Sequence, residues 1–187
     1  MEILTKTEVL MRKKEIVQKI QDGSVFIYPT DTIYGIGCNA LNEKSVDRIR
    51  KLKERVDNPF SVIAPSIEWM KEVCDEPKCN EWVDKLPGPY TFIVRLKEKS
   101  VIAKNVNLNK ETLGIRYPNH WIRELVKEVG VPIVTTSVNK AGRPFMTDLK
   151  NIDKDIEQGV DFIISEGEIQ ASPSKLVNLS EGTVIER

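Results

Sequence analysis

Apolar residues recur at helical spacing between positions 6 and 21, where Val9, Leu10, Ile16, Val17 and Ile20 share a stripe and Gly23 follows where helices commonly stop. The period then changes. Ser24 to Tyr28 is short, apolar and β-prone and ends at Pro29, so it predicts a strand. A second helical stripe, Val46, Ile49 and Leu52, opens at about Asn42 and ends in a basic cluster of Arg50, Lys51, Lys53 and Arg55. Phe60 to Ala64 reads as a strand, and residues 67–73 and 80–86 as two short helices that carry Trp69 and Trp82. Both tryptophans sit among apolar residues at helical spacing, which favours core packing over a stacking platform for bases.

The second half alternates in the same way. Residues 90–97, TLGIRYP from 112 and PIVTTSV from 132 read as strands, with a helix after Asn119 built on Trp121, Ile122, Leu125, Val126 and Val129. DFIISEG from 161 and SKLVNLSEGTVIER from 174 add further strands with no helix between them. Interleaved strands and helices predict the α/β class, and the consecutive strands at the end predict a twisted, mixed parallel and antiparallel sheet with flanking helices.

Composition narrows the function. A chain of 187 residues with 40% hydrophobic and 30% charged residues suits one globular domain, residues 1–187. Its 28 basic and 28 acidic residues cancel, so no global field attracts nucleic acid or membrane, and any anion site has to be assembled locally. The start lacks a secretory pattern and no apolar run approaches the roughly 20 residues that span a bilayer, so a soluble cytoplasmic protein without a membrane partner is expected. Cys38, Cys74 and Cys79 include no CxxC pair, and His120 is the only histidine, which removes the usual zinc frameworks. No metal ligands are assigned. Cys74 and Cys79 read as ordinary thiols, and His120, next to a predicted helix start, as a capping or surface residue.

The common phosphate-loop, dinucleotide-binding and nucleophile-elbow motifs are absent. Four polar stretches remain, each at the end of a predicted strand or helix: PTDTIYG from Pro29, Lys53-Glu54-Arg55 leading to Asn58, Thr112 to Arg116, and Ser137-Val138-Asn139 followed by KAGRPF. Lys and Arg at a helix end complement the helix dipole, which is the plain reading of the basic cluster. Taken together, though, the four stretches offer cationic and hydroxyl donors without an evident nucleophile or general base. That set suits holding a polyphosphate and a carboxylate and stabilising developing charge.

PTDTIYGIG, Lys-x-Arg before Asn-Pro, PGPYTFIV, LGIRYPNH and Ser-x-Asn followed by GRP, in this order, resemble the threonylcarbamoyl-adenylate synthase family of YrdC-type fold. The resemblance implies a YrdC-like fold with a concave site, and an enzyme that joins L-threonine, bicarbonate and ATP into threonylcarbamoyl-AMP and pyrophosphate. The product would pass to a separate transferase complex that modifies adenosine-37 of tRNA, with tRNA binding by this chain also open. Magnesium would arrive on the nucleotide. By position, Lys53 and Arg55 match the catalytic pair. Together with Asn58, Thr112, Ser137, Asn139, Phe145 and Arg187 they match ATP contacts, and Thr32, Arg116, Thr135 and Ser174 surround threonine. Ile63 stands where many members have histidine, and Ser174-Lys175-Leu176 where Ser-Thr-Val is usual. Two other readings stay open: a carbamoyl-adenylate-forming domain that uses carbamoyl phosphate, and a YrdC-like RNA-binding module.

Overall fold

A computed structural model describes residues 1–185. Along the chain run β1 (Glu2–Thr5), α1 (Lys6–Met11), α2 (Lys13–Gln21), β2 (Phe26–Tyr28), β3 (Gly35–Gly37), α3 (Glu43–Leu52), β4 (Ser61–Ile63), α4 (Ile67–Val73) and α5 (Cys79–Val83). They are followed by β5 (Tyr90–Arg95), β6 (Thr112–Arg116), α6 (Ile122–Val129), β7 (Ile133–Ser137), α7 (Lys154–Gly159), β8 (Phe162–Ser165), β9 (Lys175–Asn178) and β10 (Thr183–Ile185). The strands form one sheet in the order β1-β8-β2-β3-β7-β4-β6-β5-β9-β10. Pairing is mixed. β8 lies parallel to both β1 and β2, β4 parallel to β6 and β5 parallel to β9, while the other neighbours run antiparallel.

Strand alternation divides the side chains between two faces. Val62, Phe92, Val94, Leu113, Ile115, Val134 and Val177 join the larger core with Val46 and Ile49 of α3, Met70 of α4, Val83 of α5 and Ile156 of α7. On the opposite face Phe26, Tyr28, Ile63, Ile133 and Phe162 pack against Val9 of α1, Ile16 and Ile20 of α2, and Leu125 and Val126 of α6. That second cluster covers only part of its face, and the strands beyond it carry hydroxyls, glycines and cations. The concave site lies there.

Three elements were not expected from the sequence. Strand β1 precedes the first helix, β3 occupies what reads as a turn, and α7 precedes β8. The helix expected over residues 6–21 divides at Arg12, whose φ of −105° and ψ of 24° interrupt it between a Thr5–Glu8 capping box and α2. Arg12 is held there by Glu2 and Glu15. Leu10 of the predicted stripe therefore faces outward at 56% exposure. Strand β3 is Gly-Ile-Gly for a steric reason, since a Cβ on Gly37 would run into the Val134 carbonyl of the adjoining β7. Trp82 packs edge-on to Phe92 at 5.8 Å, and both Trp69 and Trp82 lie against the larger core, as their spacing suggested. Cys38, Cys74 and Cys79 are free and buried. Among the described residues no helix is long and apolar enough to cross a membrane.

Candidate active site

The uncovered face holds a cavity of about 780 Å3. Pocket volumes of roughly 300–1,000 Å3 suit drug-sized ligands, so this one has room for a nucleotide and a small amino acid together. Its floor is made by the cavity-facing residues of the middle strands: Ser61 of β4, Thr91 and Ile93 of β5, Thr112, Gly114 and Arg116 of β6, Thr135 and Ser137 of β7. Gly114 keeps the centre open, because a Cβ there would collide with the Ser61 hydroxyl and approach Thr91 Cγ2 at 3.3 Å.

Strand directions give the cavity two ends. β4 runs parallel to β6 and antiparallel to β7, with Ser61 opposite both Gly114 and Thr135. The segments entering β4 and β6 and leaving β7 therefore emerge at one end of the sheet. Arg55, Asn58, Thr112, Ser137, Asn139 and Phe145 line the cavity at that end. Arg116 closes β6 four residues later, roughly 13 Å along the strand at about 3.3 Å per residue, and lines the cavity with Thr32, Thr135 and Ser174.

The Lys-x-Arg and Ser-x-Asn stretches are bonded to each other. Lys53 is 1% exposed and does not line the cavity; its Nζ donates to the Ser137 carbonyl and, at 2.6 Å, to the Asn139 carbonyl. Lys53 thus grips the loop from behind the cavity wall. Burial, with Arg55 nearby as the lesser cause, pushes the Lys53 amine down to about 7. The Lys53 carbonyl in turn accepts the Ala141 N–H at 3.0 Å. Arg55 faces the cavity, with Nη1 donating to Thr136 Oγ1 at 3.3 Å and Nη2 to the Pro59 carbonyl at 3.2 Å, while its buried Nε has no partner among the described residues. Ser137 Oγ donates to Asn139 Oδ1, and Asn139 Nδ2 donates to the Arg143 carbonyl at 2.8 Å.

Opposite orientations of Lys53 and Arg55 come from the residue between them. Glu54 is left-handed at φ +51°, and the Arg55 N–H reaches back to the Arg50 carbonyl at 3.0 Å, so α3 ends in a tight reverse loop. Arg50 does more than complement the helix dipole. Its guanidinium donates to the carbonyls of Arg55, Val56, Asn58, Asn105 and Val106 and lies 4.3 Å from the Phe60 ring, fixing the loop that carries Asn58.

At the other end Arg116 is buried, with Nη2 donating at 3.0 Å to both Asp31 Oδ1 and Thr32 Oγ1. Its buried Nε has no hydrogen-bond partner among the described residues. Asp31 Oδ2 accepts the Asn119 N–H at 2.8 Å, and Thr30 Oγ1 lies 2.9 Å from Thr32 Oγ1, so the PTDT turn is a preformed hydroxyl and carboxylate frame for the arginine. Ser174 and Thr91 share a 2.6 Å hydroxyl contact, both buried. Ile63 is fully buried in the second core and not on the wall, so its difference from histidine lies outside the cavity lining. His120 accepts the Ile122 N–H on Nδ1 at 3.2 Å and caps the start of α6. Arg187 lies outside the described residues.

Several site residues escaped the sequence reading. Asp31 stood within the quoted PTDT stretch, where a carboxylate between two threonines beside a strand end is the available signal. Thr91 and Arg143 likewise stood within the quoted PGPYTFIV and GRP stretches and Thr136 on the strand before Ser137, without an assigned role; Lys110 carried no signal, because only the register of β6 brings the loop before it to the cavity.

The Sua5/YciO/YrdC domain model, described as telomere recombination, matches residues 18–187. The chain belongs to the Sua5/YciO/YrdC family. A Methanocaldococcus jannaschii relative is 36% identical over 178 residues, spanning 92% of this chain and 81% of the relative. The threonylcarbamoyl-AMP synthase of Pseudomonas fluorescens is 30% identical over 182 residues, 93% of this chain and 96% of that one. The crystal structure of Pyrococcus abyssi Sua5 complexed with L-threonine superposes with a TM-score of 0.85 at 28% identity, covering 98% of this chain and 55% of the Sua5 chain. This chain therefore spans about half the length of that structural relative.

Proposed function

We propose that this chain is a threonylcarbamoyl-AMP synthase, joining L-threonine, bicarbonate and ATP and releasing pyrophosphate. The observation that carries the reading is the two-ended cavity: Arg55, Ser137 and Asn139 at one end of β6, and the Arg116–Asp31–Thr32 cluster at the other. An amino acid and a nucleoside triphosphate both carry negative charge, and a single rigid sheet with a cationic group near each end can hold them in line without letting them repel apart.

In this reading the threonine carboxylate takes the free donor capacity of Arg116, and the Thr32, Thr135 and Ser174 hydroxyls surround the rest of the amino acid. The threonine amine captures carbon dioxide as a carbamate. The carbamate oxygen attacks the α-phosphorus, the bond to the bridging oxygen breaks, and pyrophosphate leaves. Arg55 and the Ser-x-Asn loop stabilise the charge that accumulates on the leaving group, and Lys53 holds that loop from behind. Among the described residues no cluster of three or more His, Cys, Asp or Glu side chains could hold a metal, and the cavity's donor set is cationic. Magnesium fits as the nucleotide's own counter-ion, neutralising phosphate charge. The product then serves threonylcarbamoyl modification of adenosine-37 in tRNA through a separate transferase.

Pyrophosphate release from ATP in bicarbonate buffer, with threonine present, absent or replaced by serine, tests the reading. Release that requires threonine supports it, and release indifferent to the amino acid removes the threonine assignment.

A further inference from the structure

Four cations line the cavity: Arg55, Lys110, Arg116 and Arg143; among the described residues no aspartate or glutamate does. In a chain whose 28 basic and 28 acidic residues balance, that is a local excess. Arg116 has Asp31 as its partner. Lys110 and Arg143 differ from it, because their charged groups make no hydrogen bond or ion pair among the described residues although surface cations such as Lys140 collect three carboxylates, Glu54, Asp153 and Asp155.

Their backbones are held firmly. Asn107 is 2% exposed, and its Nδ2 donates to the Lys110 carbonyl at 2.9 Å and the Thr112 carbonyl at 3.0 Å. The two residues before Lys110, Leu108 and Asn109, are both left-handed, at φ 59° and 57°, a conformation that is strained for leucine. Arg143 stands on the same kind of support, its carbonyl accepting Asn139 Nδ2 at 2.8 Å just after the left-handed Gly142. So two loops, one entering β6 and one leaving β7, each use an asparagine amide to present an unpaired cation at the same end of the sheet as Arg55. A solvated surface lysine needs neither a buried anchor nor a strained turn.

We propose that Lys110 and Arg143 form a clamp for the β- and γ-phosphates of the bound triphosphate, and so for the pyrophosphate that leaves. This deepens the synthase reading and rests on it for the nucleotide, while the anion site itself rests on the cavity. Arg55, bonded into the floor at Thr136 and Pro59, is left to the bridging oxygen between the α- and β-phosphates, where the leaving group's charge first accumulates. The clamp makes affinity depend on the phosphate tail, and it discriminates triphosphate from monophosphate.

Affinities of the wild type, Lys110→Ala, Arg143→Ala and the double variant for ATP, pyrophosphate and AMP, measured by calorimetry with magnesium, decide it. Both side chains are unpaired and exposed, so the variants should keep the wild-type melting temperature. Each single variant is expected to weaken ATP and pyrophosphate about tenfold and AMP less than twofold, with Lys110→Arg restoring most of the loss. Equal losses for AMP and ATP, or no loss for either, would overturn the clamp. Wild-type binding of pyrophosphate that the double variant loses, without threonine-dependent turnover, would leave the clamp standing and remove the synthase reading.

Discussion

Lys53 Nζ lies 2.6 Å from the Asn139 carbonyl, inside the protein and behind the cavity wall. One lysine thereby ties the end of α3 to the loop that follows β7, and the left-handed Glu54 lets its neighbour Arg55 turn the other way, into the cavity. The basic pair acts as a unit because its members face opposite sides of one loop.

Lys53→Met should therefore keep the fold but release the Ser137–Asn139 carbonyls, each an unsatisfied group costing about 1–3 kcal/mol unless water reaches it. ATP use should fall at least tenfold while the threonine KM moves little, since Arg116 is untouched. Steady-state kinetics with each substrate varied separately checks the split; equal movement of both constants contradicts it.

The same lysine makes stability depend on pH. Its amine keeps a proton to about 10.5 in the unfolded chain but only to about 7 when folded. Below 7 both states carry that proton and the full cost of burying it destabilises the fold; as pH rises from 7 toward 10.5 only the folded state sheds it, so stability climbs. The slope is at most about 1.4 kcal/mol per pH unit. Burial raises the Cys38 thiol above its ordinary 9.0, which opposes the trend above pH 9, while Cys79, lowered by its contact with Cys74, adds to the rise below 9 in wild type and variant alike. Urea unfolding from pH 7 to 9 should show a steeper rise in wild type than in Lys53→Met, and equal slopes would contradict the assignment.

Arg116 and Asp31 are 8% and 12% exposed, so breaking their pair leaves a poorly solvated carboxylate. Arg116→Ala is expected to cost about 3–5 kcal/mol of stability. Arg116→Lys keeps a charge for Asp31 but loses the planar fork, so it should stay folded and raise the threonine KM at least tenfold with ATP KM little changed. A threonine KM unaffected by Arg116→Lys would take Arg116 out of the amino-acid pocket.

Glu54 tests the loop itself. Glu54→Gly suits φ +51° and loses only an exposed 3.0 Å contact with Lys140, so stability should stay within about 1 kcal/mol. Glu54→Val, a β-branched residue at a left-handed position, should be less stable than the glycine variant by about 1–2 kcal/mol and lower ATP use with it. Thermal melts of the two variants side by side give the answer.

Much of this was legible in the chain. Strands with dense apolar or β-branched residues, such as Tyr90–Arg95 and Ile133–Ser137, announced themselves, and so did the helix capped by Asn42. β3 did not, because two of its three residues have no side chain to show a period. β1 buries only Leu4 and α7 only Ile156, too little for a pattern. The motif residues read from sequence do gather at one cavity, apart from buried Lys53 and from Arg187, which lies outside the described residues. Which way a lysine in Lys-x-Arg points depends on one φ angle at Glu54, and spacing does not encode that. Lys110 is brought in by strand register, and Arg143 by the loop after β7 that Asn139 ties back on itself.

The most direct test of the central claim is mass spectrometry of the product formed from ATP, L-threonine and isotopically labelled bicarbonate. The expected product is a threonylcarbamoyl-AMP adduct that carries the labelled carbon and disappears in Arg55→Ala. No adduct, or one formed only when carbamoyl phosphate replaces bicarbonate and threonine, would contradict it.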